Sequence, residues 1–532
     1  MINDFKDEKC AKYKNIHILF TSNISKDNQI LDLIASNNFI LKRIKSCACI
    51  NLHFFAYESR IFYFHNSLSL FNYFPLINND ILSQISSILL SVCSCLKIFP
   101  SIRYQNSELC RSFSHIFYNS IKNLHTIYND KNKITNTNIN TYSNKNNDNQ
   151  SDNNNNNHMN NDIYHYNNNR NDDILLILDR SIDTSILFIH DYSYQKEKEA
   201  LLSEEDHLWS SYRHHHIQDV NEIIKNEISA FTEKNAVVKI QKKNVLNPTE
   251  ALDALRSLPQ YETLIEQYWL HYYLCNNCFK LLQDKNIVDV GLVEQDICCN
   301  VDKYGKELNH QKNLASVNTI ITSDEYDQEE KTRLLLLYFM NYININDNDK
   351  MKIIESAQLN LFMKNIINEF LKLNLHNSGY YSASDEPIQL SSNKIHHVLE
   401  NSNKKKIKHY KNVAKNSKYE LSRHEPIIKD IILDIYNDTL DENYFPHVDP
   451  THQQEIKAGH ASHENKQNVS RGTIWDFKTE NKNQTKKEKK RKILIFIIGG
   501  ITYPEIKQIY EMSNELDVDI YLGGTNLLTS KK

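Results

Sequence analysis

At 532 residues the chain is too long for one hydrophobic core and implies roughly three or four domains of ordinary size. A formal net charge of -4 and a pI near 6.6 give no overall basic field, which argues against nucleic acid as the main partner. Ten cysteines with no secretory leader, and no apolar run of about 18 residues, read as reduced thiols in a soluble cytosolic protein.

Taken from the amino terminus, the first strand-like run is "NIHILF" (15–20), followed by "INLHFFAYESRIFYF" (50–64), both β-branched or aromatic and of strand length. Helical spacing then takes over in "DILSQISSILLSVCSCLKIF" (80–99) and, after Pro100, in "RYQNSELCRSFSHIFYNSIKNL". Residues 131–171 hold 19 asparagines in 41 positions, too few apolar groups to offset ordering, and read as a disordered insertion. Beyond it "DILLILDR" (173–180) reads as a buried strand, so the first part forms βαβ units and a parallel sheet.

From about 200 to 375 the strand signal vanishes. "EDHLWSSYRHHHIQDVNEIIKNEISAFTEK" places Leu208, Tyr212, Val220, Ile223, Ile224, Ile228 and Phe231 on one helical face, and "LIEQYWLHYYLCNNCFKLL" and "KTRLLLLYFMNYI" repeat the pattern. Polar zones at 377–418 and 450–491 read as solvated loops. The strand signal returns at "KILIFIIGG" (492–500) and "VDIYL". The fold class expected is therefore α/β plus α, with a large, mainly helical domain inserted into parallel-sheet α/β domains. The divisions are 1–50, an incomplete first α/β domain; 51–199, the first part of a central one; 200–465, helical; and 466–532, the returning segment.

Chemistry is sparse. There are 9 glycines and none before Gly291, which removes phosphate-cradling loops from the first half of the chain. Gly499 and Gly500 precede Thr502-Tyr503-Pro504-Glu505, a capping box whose carboxylate occupies the positive end of the next helix and repels a phosphate. Asp179, Arg180 and Asp183 sit at the carboxyl end of a strand, where α/β enzymes place reactive groups; an Asp-Arg ion pair that holds a loop is the competing reading. Consecutive His214, His215 and His216 would point about 100° apart on a helix and cannot share a metal. Cys275 and Cys278 fall in a helical apolar pattern and read as packing residues. No cofactor is implied, and no enzyme.

Dispersed stretches together resemble the SM family, the syntaxin-binding proteins of the Sec and Munc type. They are "DFKDEKCAKYKNIHILFT" (4–21), "INLHFFAYESRIFYFHNS" (50–67), "LLILDRSIDTSILFIHDYSYQ" (175–195), "LLSEEDHLWSSYRHHHIQDV" (201–220), "LRSLPQY" (255–261), "VGLVEQDI" (290–297), "YELSRHEPIIKDII" (419–432) and "ILIFIIGGITYPEI" (493–506), in the family's order. Glu204 to Trp209 and Pro426 to Asp430 bring it nearest the plasma-membrane exocytosis branch.

The resemblance implies an arch-shaped, non-catalytic clasp for a syntaxin-type SNARE or an assembling SNARE bundle, cytoplasmic and peripheral at plasma membrane and secretory vesicles. It implies a peptide pocket near Ile30, Leu31, Ile44 and Cys47. It also implies a helical hairpin at about 305–330, with Leu314, Val317 and Ile321 facing the partner and no hinge proline between Pro259 and Pro387. Met1 enters part-way through the family's first domain and Lys532 precedes an expected final helix, so an incomplete gene model is expected. Two other functions compete: a helical scaffold that binds membranes through lysine-rich loops, and a degenerate α/β enzyme using Asp179 and Asp183.

Overall fold

The computed structural model describes residues 14–21, 29–50, 52–64, 68–124, 173–197, 206–234, 248–342, 344–373, 375, 406–449 and 490–529, without the side chains of 39, 231–234 and 248–262. The asparagine-rich insertion, the lysine run before 406 and most of the third polar zone lie outside them. Residues 406–416, inside the second polar zone, form a helix, α13.

The central sheet has six strands: β3 (Phe55–Glu58), β4 (Ile61–Tyr63), β5 (Ser101–Tyr104), β6 (Ile174–Asp179), β7 (Lys492–Ile498) and β8 (Asp519–Gly524), in the order β3-β4-β8-β7-β6-β5. All neighbours are parallel except the β3–β4 hairpin. The returning segment thus supplies the sheet's middle: Ile174 pairs with Ile493 and Ile493 with Ile520. Buried on both faces, β7 is continuously apolar, as a central parallel strand must be.

Successive side chains divide between two cores, because the strand period is two. Leu176, Leu178, Ile493, Ile495 and Ile497 meet α14 (Ile428–Tyr436) and α15 (Tyr503–Leu516), while Leu175, Ile177, Leu494 and Phe496 meet α3 (Asn79–Leu96) and α4 (108–124). Ile428–Tyr436, grouped by sequence with the helical domain, therefore packs on the sheet. Contrary to the sequence reading, Asn79–Leu96 is long and apolar enough to cross a membrane by length and composition; here Leu82, Ile85, Leu89 and Val92 bury one stripe of it in the core.

Two strands escaped the sequence reading. "RYQN" opens not with a helix but with β5, a sheet edge closed by residues 444–448: Val448 N donates to Ile102 O at 3.1 Å and Tyr104 N to Pro446 O at 3.2 Å. β2 (Ile44–Cys49) pairs in parallel with β1 (Ile16–Phe20), and α1 (Gln29–Ala35) and α2 (Asn38–Leu41) accompany them. Among its described residues this small unit buries Ile16, Ile34 and Ile40 and leaves Leu19, Leu33, Leu41 and Ile50 exposed.

Among the described residues the helical part has two main cores and a small third one, where Cys299 and Val301 meet Tyr410 of α13. One main core joins Trp209 of α5 (His207–Tyr212), Val220 and Ile224 of α6 (Ile217–Lys234), and Leu274 and Cys275 of α7 (Pro248–Asp284). The other joins α8 (Ile287–Cys299), α9 (His310–Thr322), α10 (Gln328–Asn341), α11 (Asp347–Ser356) and α12 (Leu361–Lys372) to Phe188 from the segment after β6. The backbone of α7 runs helically through Pro259 over 37 residues.

Candidate functional site

Several of the recognisable stretches prove, among the described residues, to be tie points between distant segments. At the end of β6, Asp179 Oδ2 accepts from Ser107 Oγ at 2.5 Å, and Oδ1 from Ser181 N at 2.9 Å and Ser181 Oγ at 2.5 Å. Both oxygens accept from fixed donors, so Asp179 closes the strand end. Asp183, whose carboxyl is raised by burial, accepts from Ile186 N and Ile427 N, each at 3.3 Å.

The expected Asp-Arg ion pair takes a different form. Arg180 Nη2 donates to Glu505 Oε1 at 2.7 Å and Nη1 to Gly500 O at 3.1 Å, both side chains being almost wholly buried. Glu505 Oε2 accepts Thr502 N at 2.9 Å, so one carboxylate closes the capping box and holds the guanidinium. Gly499 and Gly500, at φ +105° and +103°, turn the chain tightly enough that a Cβ on Gly499 would lie 2.9 Å from Arg180 Cβ. The glycine turn packs against the Arg180, Leu70 and Leu528 side chains.

The stretch Glu294-Gln295-Asp296 on α8 ties three chain segments with three consecutive side chains. Glu294 takes His190 N at 2.9 Å and His190 Nδ1 at 2.8 Å. Gln295 Oε1 accepts Arg423 N at 2.9 Å and His424 N at 2.7 Å, and Asp296 Oδ1 accepts Arg423 Nη2 at 2.7 Å. Gly291, one turn earlier, lets the Tyr192 hydroxyl reach the helix: a Cβ there would meet it at 2.0 Å.

The three histidines lie in the turn between α5 and α6, not on one helix, and diverge. His214 Nε2 stands 3.2 Å from Glu58 Oε2, His215 packs edge-on to Tyr212, and His216 stacks on Tyr419 with centroids 3.6 Å apart. Burial pushes Glu58 up, but hydrogen bonding and charge from His214, with Arg213 and Gln195, outweigh it and hold the carboxyl below its ordinary value. Burial pushes the His216 imidazole down to about 4. Among the described residues no group of three or more His, Cys, Asp or Glu side chains could hold a metal ion. Cys275 is buried and Cys278 half-buried, both against the core of α5, α6 and α7.

The residues expected to meet a partner divide into two sets. Ile30 and Leu31 are exposed on α1, Ile44 is half-buried and Cys47 exposed on β2. Register pairs Ile18 with Cys47, and Ile18 and Ile44 pack against the cluster of Ile16, Ile34 and Ile40. Of the four, only Ile44 packs on this small core; Ile30, Leu31 and Cys47 are exposed. In α9, by contrast, Val317 and Ile321 are wholly buried against α8 and α10 and Leu314 is half-buried; their apolar spacing serves the core in this conformation.

A surface not anticipated from sequence lies on α7, where Trp269 is 54% and Tyr273 63% exposed, with Leu270 and Leu281 also exposed. Residues 269, 270, 273 and 281 fall within about 120° of the helix circumference, opposite Cys275 in the core, with Leu274 buried at the edge of that face. The signal was present as an apolar pattern too wide for one buried stripe, but sequence cannot say which side of a fully apolar helix meets solvent.

Comparison with known proteins adds the lineage. The chain is 26% identical to "Protein transport protein sec1" of Dictyostelium discoideum, over 100% of this chain and 84% of that protein, and 24% identical to "Protein transport protein SEC1" of Saccharomyces cerevisiae, over 98% and 74%. Its fold matches the Unc18–syntaxin 1 complex from Monosiga brevicollis at TM-score 0.63 and 18% identity, covering 100% of this chain and 83% of that one. It matches the SM protein Vps45 in complex with the Qa SNARE Tlg2 at TM-score 0.62 and 16% identity, covering 100% and 82%. The family model described as the Sec1 family spans residues 1–532, and the chain belongs to that family.

Proposed function

We propose that this protein is a SNARE regulator that binds a syntaxin-type SNARE and an assembling SNARE bundle in vesicle docking and fusion. The observation that carries the reading is the exposed aromatic and aliphatic face of α7, Trp269, Leu270, Tyr273 and Leu281, on a helix whose opposite side is anchored in a core. A helix of 37 residues is about 56 Å long, the scale of several turns of a partner helix. Large aromatic side chains are the usual anchors of such helix-to-groove contacts.

A second contact is proposed at Ile30, Leu31, Ile44 and Cys47, for a short apolar peptide from the partner's amino terminus. Leu314, Val317 and Ile321 reach a partner only if α9 leaves its core, so their contribution requires a rearranged hairpin. The action is that of a non-catalytic clasp, peripheral to the plasma membrane and secretory vesicles through its partners, in the exocytic step.

The test is calorimetric titration of the full chain with cytosolic fragments of several syntaxin-type SNAREs. Saturable binding that weakens in the Trp269→Ala/Tyr273→Ala variant supports the proposal. Absence of binding to every fragment, with salt-sensitive binding to anionic liposomes instead, would favour the membrane scaffold.

A further inference from the structure

Between Asn401 and Tyr419 the chain carries seven lysines and no acidic residue, against a formal charge of -4 for the whole. The basic excess is local. Residues 406–416 of this run form α13, which buries Tyr410 and packs Ile407, Val413 and Ala414 against Cys299 and Val301, at the end of α8 and just beyond it. At about 100° per residue, Lys408, Asn412 and Lys415 lie within about 60° of one another on the side away from Tyr410, and all three are exposed. Among the described residues no ion pair engages Lys408 or Lys415.

The turn that follows α8 extends this face. Val301 bridges Glu307, and Asp302 Oδ1 accepts Tyr304 N at 2.9 Å and Lys306 N at 2.8 Å, so the turn is braced at its base. It leans on α13: a Cβ on Gly305, at φ +81°, would lie 3.5 Å from Lys411 O, and Lys411 Nζ donates to Glu307 Oε2 at 3.0 Å. At the tip Tyr304 is 78% exposed, with Lys303 Nζ 5.3 Å from its ring centroid and Lys306 also exposed. Glu307 and Glu420 offset Lys411 and Lys303, and Asp302 is turned to backbone amides. Lys306, Lys408 and Lys415 carry the remaining positive charge of the face.

We propose that this face, with Lys306, Lys408 and Lys415 set around Tyr304, rests on a membrane surface that bears anionic phospholipids. Each lysine brought near such a surface adds about fivefold in affinity. The apolar side of α13 is taken up by its core, so the helix contributes charge and does not insert. Tyr304, an apolar ring with a polar tip, suits the headgroup layer. An acidic protein is the competing occupant, but carboxylates and phosphates of defined geometry are gripped by the arginine fork, and residues 401–419 contain no arginine. Lysines, as point charges, suit a diffuse layer of headgroups. The contact is additional to SNARE binding and does not rest on it.

Co-sedimentation of the full chain, with no SNARE present, on vesicles of equal parts phosphatidylcholine and phosphatidylserine tests this against vesicles of phosphatidylcholine alone. Binding should require phosphatidylserine and fade as salt rises from about 0.1 M to about 1 M, where screening shortens from about 10 Å to about 3 Å. Lys408→Glu/Lys415→Glu should weaken it by about thirtyfold or more, and Tyr304→Ala by several-fold. Thermal unfolding should be unchanged in both, because the altered side chains are exposed. The control Lys486→Glu/Lys487→Glu alters net charge equally and should bind as the wild type does. Absence of binding to the phosphatidylserine vesicles, or an equal loss in the control, overturns the proposal. So does a wild type that binds a polyglutamate peptide and ignores the vesicles.

Discussion

Arg180 and Glu505 are 325 residues apart in the chain and 2.7 Å apart in space, buried at the centre of the α/β body. The contact fixes the returning strand β7 and helix α15 to the end of β6. It ties the returning segment to the strand end beside which β7 pairs.

Arg180→Met would leave the Glu505 carboxylate buried against Thr502 without its counter-charge. Breaking one side of a buried pair costs about 3–5 kcal/mol. The expected outcome is a large fall in the urea midpoint for Arg180→Met, and a smaller one for Arg180→Met/Glu505→Gln, where no charge is stranded. Equal losses would show that the two side chains are not coupled.

Gly291→Ala sets two effects against each other. Alanine improves helix propensity by up to about 1 kcal/mol. Its Cβ, however, would lie 2.0 Å from the Tyr192 hydroxyl, and overpacking of this kind costs about 1–3 kcal/mol. The variant should be destabilised in thermal unfolding, while in a Tyr192→Phe background, with the hydroxyl gone, the same change should approach neutrality.

His216 gives the acid limb. Burial lowers its folded-state value to about 4, against about 6.5 unfolded, so the unfolded chain binds the extra proton first as pH falls. Its contribution is present above about pH 6.5 and is lost as pH falls toward 4, by up to tenfold per unit. His216→Gln should flatten this limb of the stability profile measured by urea unfolding.

Trp269→Ala/Tyr273→Ala removes two side chains that are more than half exposed, so thermal stability should change little. If they anchor a partner, each truncation costs about 2 kcal/mol of binding, or about thirtyfold in Kd. Ile30→Asp, at the other proposed surface, should weaken binding of a short amino-terminal peptide without altering contact with the helical fragment.

The sequence alone determined the periodic parts. β6, β7 and β8 were legible because a strand buried on both faces must be continuously apolar, and the Thr502–Glu505 box because its four residues interact locally. The family was legible from the order of dispersed stretches along the chain, several of which supply buried ties such as Arg180 and Glu294. Tertiary structure alone decided the rest. No local pattern could name Glu505 as the partner of Arg180, since the choice depends on β7 entering beside β6. Nor could it show that Val317 and Ile321 face a core while Trp269 and Tyr273 face solvent. Apolar spacing fixes that a helix has a face; only the packing of neighbouring helices fixes where that face looks.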